Sequence, residues 1–199
     1  MKYDTKTKLS KGQIRTLDAF SKEMFMLLSN KSFEEITVGE LCGNTNYPRA
    51  TFYNYFDDKY DLLNYCWQTL ALKIGFDEYK HSDDNEMLYV YFDRIYDFTK
   101  DNIEIINKVL LHNGEVGYMF SSFRNYLINQ MRFVFKDCPL ANKKDIPNQL
   151  LADHFSNTLI LVWQYSTIID DTCTKIQAHK YLRYLIDNLW FVFRKFIMI

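Results

Sequence analysis

Within six positions, Arg49-Ala50-Thr51-Phe52-Tyr53-Asn54 brings together a guanidinium, a methyl, two hydroxyls and a carboxamide. On a helix with Phe52 turned inward, these groups share one outward face. Each has a counterpart in duplex DNA. Arg pairs its N–H groups with a guanine edge, Asn does the same with adenine, and Ala or Thr touches a thymine methyl. The hydroxyls of Thr37, Tyr53 and Tyr55 and the ammonium of Lys59 suit phosphate oxygens. An ordinary solvated helix displays such residues too, so the face gains meaning only from the elements that carry it.

Other chemistry is hard to find. No paired carboxylates, nucleophile–base pair or metal-ligand spacing stands out. Asp153 and His154 are adjacent, which points them in different directions on a helix. His112 and His154 could join a ligand pocket, but a lone histidine is more often an ordinary polar residue. Cys42, Cys66, Cys138 and Cys173 are far apart and form no CxxC pair, so they read as buried free thiols of a reducing compartment. No catalytic residue, metal or cofactor is expected.

The elements around the polar face follow from periodicity. From Lys11 to Ser29, Ile14, Leu17, Ala19, Phe20, Met24, Phe25, Leu27 and Leu28 recur at helical spacing, with Ser10 placed to cap the start. Asn30-Lys31-Ser32-Phe33 breaks that helix. Thr37 then reads as the N-cap of a short helix running to about Asn44, with Glu40 at the spacing of a capping box. Thr45-Asn46-Tyr47 reads as a tight turn, because Asn is among the few residues that tolerate positive φ. Pro48 suits the first turn of the next helix, where its missing N–H costs nothing. That helix ends near Phe56. Two short helices joined in this way form a helix-turn-helix, in which Leu41, Cys42, Tyr47 and Phe52 would fill the junction.

Further along, helices are expected at about 58–79, 86–100, 103–111, 118–136, 147–170 and 175–196, with a polar break at His81-Ser82-Asp83-Asp84-Asn85. Glycine (6) and proline (3) are scarce, aromatics make up 17% of the 199 residues, and no strand pair or repeat is visible. The expected fold class is all-α, with about nine helices. Apolar runs are interrupted too often to span a membrane, and Met1-Lys2-Tyr3-Asp4-Thr5-Lys6 lacks the apolar core of a signal peptide. Formal net charge is −1, but Lys2, Lys6, Lys8, Lys11 and Arg15 crowd the N-terminus against Asp4 alone. Acids dominate elsewhere, as at Asp77, Glu78, Asp83, Asp84 and Glu86. Such asymmetry aims one end of a molecule at a polyanion.

The run Phe33-Glu34-Glu35-Ile36-Thr37-Val38, then twelve residues, then Thr51-Phe52-Tyr53-Asn54-Tyr55-Phe56-Asp57-Asp58-Lys59-Tyr60-Asp61-Leu62-Leu63 resembles the tetracycline-repressor (TetR-type) family without a gap. The match covers about residues 10–65. It implies a DNA-binding domain in 1–56 with the helix-turn-helix at about 37–56, a linking fourth helix in 57–82, and a ligand-binding and dimerisation domain in 83–199. By position, Thr37, Arg49, Ala50, Thr51, Tyr53, Asn54, Tyr55 and Lys59 would lie at or near DNA. Tyr53 and Lys59 would mainly hold phosphates, and Arg49, Ala50 and Thr51 would read bases. Phe52 and Phe56 would be core. This chain departs from the family's Gly-Val-Ser turn, offering Gly43-Asn44-Thr45 and then Asn46-Tyr47-Pro48.

For the remainder, the resemblance is one of architecture. The last two long helices carry Leu150, Leu151, Phe155, Leu159, Val162, Trp163 and Ile169, then Ile176, Tyr181, Leu182, Leu185, Ile186, Leu189, Trp190, Phe193 and Phe196, more apolar surface than one domain covers. They would pair with their copies in a homodimer. An effector pocket lined by Trp67, Phe92, Tyr96, Met119, Phe123, Tyr126 and Trp163 would suit a small apolar or aromatic molecule. The function expected is a cytoplasmic, sequence-specific transcriptional regulator, a repressor released from a palindromic double-stranded operator by an effector. The alternative is a protein-interaction module of the same fold without DNA binding.

Overall fold

The computed structural model describes residues 9–75, 84–135 and 147–197, of which 84–87, 134–135 and 187–197 are described by backbone alone. Every regular element among them is helical. The helices are α1 (Lys11–Leu28), α2 (Val38–Thr45), α3 (Arg49–Tyr55), α4 (Lys59–Ile74), α5 (Asp84–Asp101), α6 (Ile103–His112), α7 (Tyr118–Phe135), α8 (Asn148–Gln164) and α9 (Lys175–Ile197), with a 3-10 turn at Phe33–Glu35. No helix of the described residues is long and apolar enough to cross a membrane. The chain forms two compact units, one of Met1–Lys73 with Ile103–Phe123, the other of Ile74–Asn102 with Arg124–Ile199. Lys2, Lys6, Lys8 and Cys138 lie outside the described residues, as does most of the polar break at 81–85.

In the first unit, α1 starts on a complete capping box. Gln13 N–H donates to Ser10 Oγ at 3.3 Å, and Ser10 N–H donates to Gln13 Oε1 at 2.9 Å. Leu17, Phe20, Met24, Leu27 and Leu28, one face of α1, are buried. Phe20 is the hub, with its ring 5.3 Å from Phe52, 5.6 Å from Tyr47 and 6.4 Å from Phe56. The edge-on contacts with Phe52 and Phe56 add about 1 kcal/mol each beyond the area they bury. α4 stops at Ile74 because Gly75 takes φ 77°, the left-handed conformation that ends helices. The sequence suggested a helix to Tyr79; residues 76–79 lie outside the described region.

In the second unit, Tyr91, Phe92, Leu159, Ile160, Leu182 and Ile186 are core. Two of its buried side chains are paired with other segments of the unit, whereas the buried His154 Nε2 has no hydrogen-bond partner among the described residues. Trp163 Nε1–H donates to Thr99 Oγ1 at 2.8 Å, and Tyr96 O–H to the Cys173 carbonyl at 2.8 Å. The long helix expected at 147–170 differs in its final part. Pro147 is the N-cap, α8 ends at Gln164, and Tyr165–Ile169 form a wider π turn. The reason is local. Ser166 and Thr167 hydroxyls donate to the carbonyls of Val162 and Trp163 at 2.7 Å each. That competition loosens the regular ladder. The chain leaves the turn with Asp170 N–H bonded to the Tyr165 carbonyl at 2.8 Å.

Candidate nucleic-acid interface

α2 begins at Thr37, whose backbone is extended (φ −117°, ψ 150°) and whose side-chain Oγ1 accepts the Glu40 N–H at 3.2 Å. Only half of the expected capping box forms. The Glu40 carboxylate turns to Lys31, whose Nζ lies 2.5 Å from Oε1 and 2.6 Å from Oε2. This ion pair ties α2 to the loop after α1. α2 ends at Asn46, which has φ 56° and ψ 28°, the only non-glycine residue with positive φ among those described. That left-handed step closes α2 through Asn46 N–H to the Gly43 carbonyl (3.3 Å) and Tyr47 N–H to the Cys42 carbonyl (3.2 Å). The chain is then redirected, and the half-buried Tyr47 packs on Phe20.

Pro48 stands at the N-cap of α3 rather than in its first turn, with φ −59° and ψ 149°. Its carbonyl accepts the N–H of Thr51 at 2.9 Å and of Phe52 at 3.3 Å, so proline starts the helix without needing a donor. Phe52 is fully buried and anchors α3 to the core. Arg49, Ala50, Tyr53 and Asn54 are exposed, while Thr51 and Tyr55 are half-buried. The exposed four recur at helical spacing and form one face of α3.

The two cations expected at DNA differ sharply. Arg49 has no hydrogen bond or ion pair among the described residues, and its guanidinium rests against α2. A Cβ placed on Gly39 would lie 2.6 Å from Arg49 Nη2 and 3.6 Å from Cζ. Burial raises the pKa of the nearby Cys42 thiol, and the Arg49 charge opposes that rise. Lys59, at the start of α4, instead directs its ammonium at the carbonyls of Phe33 (2.9 Å), Glu34 (2.8 Å) and Ile36 (2.8 Å). It also sits 4.8 Å above the Phe33 ring. Desolvation lowers its pKa, with Glu34 opposing. An ammonium has three N–H donors. Lys59 therefore directs all of them at the protein, whereas the family resemblance implies a phosphate contact for it.

Two further residues fix the loop that leads into Thr37, and the sequence reading did not single them out. Asn113 is buried, accepts the Phe33 N–H and donates to the carbonyls of Leu28 (2.9 Å), Lys31 (3.2 Å) and Val109 (3.0 Å). Glu34 Oε1 accepts the Tyr118 N–H at 3.0 Å, capping the first turn of α7. The only sequence signal was Asn113-Gly114, a turn dipeptide. The residues expected to line a pocket are distributed over both units. In the first, Trp67 lies 5.3 Å from Phe123 and donates to Ser122 Oγ at 3.0 Å, and Met119 is buried. In the second, Phe92 lies 6.0 Å from Tyr96, and Tyr126 is half-buried. Trp163 lines a cavity of about 20 Å³ with Ile95, Leu127, Met131, Ser156, Leu159 and Ile160.

No protein-family model matches the sequence, and no curated protein matches it. Solved structures do. A chain described as a TetR-family transcriptional regulator from Syntrophomonas wolfei superposes with a TM-score of 0.62 at 16% identity, over 87% of this chain and 94% of its own. The fatty acid degradation regulator FadR of Bacillus halodurans gives 0.57 at 14% identity, over 90% and 97%. A TetR-family transcriptional regulator of Haemophilus influenzae gives 0.54 at 14% identity, over 87% and 98%. The fold is that of TetR-type regulators. At these identities the shared property is architecture.

Proposed function

We propose that the protein is a homodimeric, sequence-specific DNA-binding transcriptional regulator of the cytoplasm, and that it acts as a repressor. The observation that carries this reading is the face of α3. A seven-residue helix exposes Arg49, Ala50, Tyr53 and Asn54 beyond a turn built by a left-handed Asn46, and it is anchored from behind by Phe52. Arg49, Ala50 and Thr51 read bases; Thr37, Tyr53, Asn54 and Tyr55 complete the contact. Lys59 holds the loop that delivers Thr37. In domain terms, 1–56 binds DNA, 57–82 links, and 83–199 dimerises and receives an effector.

Two features support the rest of the proposal. Leu161, Ile169, Ile176 and Tyr184 expose 59%, 70%, 72% and 70% of their surface in the single chain, the pattern of a face that a second copy covers. Leu189, Trp190, Phe193 and Phe196, expected on the same helix, have side chains outside the described set. The cavity beside Trp163 is apolar but small against the ~300 Å³ of an ordinary ligand site. An effector therefore enters by parting α5, α7 and α8, and its differential affinity for the opened form drives release. Two-fold symmetry makes the operator a near-palindrome.

The test is retention of genomic fragments by the purified full-length protein, sequenced and then measured by fluorescence anisotropy across salt concentrations. A shared two-fold motif, with affinity falling steeply with salt, is expected. Tyr53→Ala with Asn54→Ala should abolish the preference. Recovery of no motif, with equal weak binding by the double variant, would leave only the interaction-module reading.

A further inference from the structure

Gly39 occupies the second position of α2 with an ordinary helical backbone, so no turn or positive φ calls for glycine there. What the missing side chain leaves is space, and the Arg49 guanidinium fills it. The position of a Cβ on Gly39 would be 2.6 Å from Nη2, 3.6 Å from Cζ and 3.8 Å from Nε, all on the Arg49 side chain. We propose that Gly39 is a specificity-determining residue: by letting the Arg49 guanidinium lie against the first turn of α2, it selects the base pair that Arg49 reads. The inference rests on the DNA-binding reading and adds a residue that does not itself touch a base.

First, no hydrogen bond or ion pair among the described residues orients Arg49, and its side chain is exposed; shape alone sets its direction. Second, the atoms that a Cβ would meet are the far end of a flexible side chain, so a substitution at 39 displaces the guanidinium while the backbone stays in place. Third, successive bases are spaced about 3.4 Å apart, so moving a guanidinium by a side-chain width changes the base edge within its reach. Recognition should move and stability should not. A helical Gly→Ala change is itself stabilising, which pushes the melting temperature in the opposite direction from damage.

Selection from a randomised duplex library tests the idea, using full-length wild type, Gly39→Ala, Gly39→Ser and Arg49→Ala, with a thermal melt for each. Wild type is expected to enrich a two-fold motif with a guanine in each half-site. Gly39→Ala and Gly39→Ser should melt at or above the wild-type temperature. Their guanine preference should fall about tenfold at one position per half-site. Arg49→Ala should lose preference at that same position. Unchanged selection by both Gly39 variants would overturn the inference while leaving DNA binding intact, as would a change at a position that Arg49→Ala does not affect. Failure of the wild type to enrich any motif would instead sink the DNA-binding reading, and the inference with it.

Discussion

Asn113 Oδ1 accepts the backbone N–H of Phe33 at 2.7 Å across 80 residues of sequence. The same side chain donates to carbonyls at the end of α1, in the following loop and in α6. It thus closes the backbone groups that the break between α1 and α2 would otherwise bury without partners. Asn113→Ala leaves the Phe33 N–H bare, and a buried unsatisfied donor costs about 1–3 kcal/mol. Chemical denaturation should show a loss of that size. Amide exchange at Phe33 should accelerate more than exchange in the second unit, and uniform acceleration throughout the chain would refute this local role.

Lys59 gives a sharper contrast. A phosphate ligand and a loop tether predict different results for Lys59→Met. Removing a tether with three charge-assisted bonds should cost about 2 kcal/mol or more. Removing a phosphate contact would instead lower the slope of log affinity against log salt by about 1. The geometry predicts the first outcome with little change in slope, readable from a melt and an anisotropy titration on the same samples.

At Asn46, φ is 56°. Glycine adopts that conformation freely, whereas a β-branched residue pays about 1–2 kcal/mol in steric strain. Asn46→Gly should melt within a few degrees of wild type. Asn46→Val should lose stability and binding together, because the turn sets the direction of α3. Equal melting of the two variants would show that the turn tolerates another backbone path.

Cys66 is fully buried, and burial pushes its thiol up to about 12 from 9.0. The folded pKa lies above the unfolded one, so the stability held by the neutral thiol is complete below pH 9. It declines as pH rises from there toward 12, by about 1.4 kcal/mol per pH unit. Comparison of wild type with Cys66→Ala between pH 8 and 10.5 isolates this share of the slope. In the native state at pH 8, Cys66 should resist alkylation until the first unit unfolds.

The exposed apolar face of α8 and α9 is tested by Ile176→Glu. With 72% of Ile176 exposed in the single chain, the substitution should change the fold's own stability by less than about 0.5 kcal/mol. Sedimentation equilibrium should report a dimer for wild type, as proposed, and a monomer for the variant. A dimer that persists in the variant with unchanged affinity would place the interface elsewhere.

What could be read in the sequence was local. Ser10, Thr37, Asn46 and Pro48 each act within four residues of themselves, through a cap or a turn, so spacing alone exposes them, and helical spacing likewise marks Phe52 as inward although its partner Phe20 is distant. Glu40 shows the limit: its spacing from Thr37 fits a capping box, yet Lys31 nine residues upstream offers a full opposite charge and takes the carboxylate. The roles of Lys59 and Asn113 depend on carbonyls that folding delivers from 23–26 and up to 85 residues away. Arg49 and Gly39 meet only because a left-handed turn folds α3 back on α2. The aromatic residues expected at one pocket were identified by type, and type does not say which unit a side chain joins.

The first unit is discontinuous: residues 103–123 pack with the chain that ends at Lys73. Exchange of reading heads between regulators therefore cannot be a simple cut after α4. A transplant that stops there leaves Asn113 and the α7 turn behind, and takes with it a helix pair whose incoming loop has lost its far-side support. On the DNA-binding function proposed above, chimaeras should keep their operator preference when the 103–123 segment travels as part of the same cassette, because the α6–α7 hairpin is the far-side support of the loop that leads into α2.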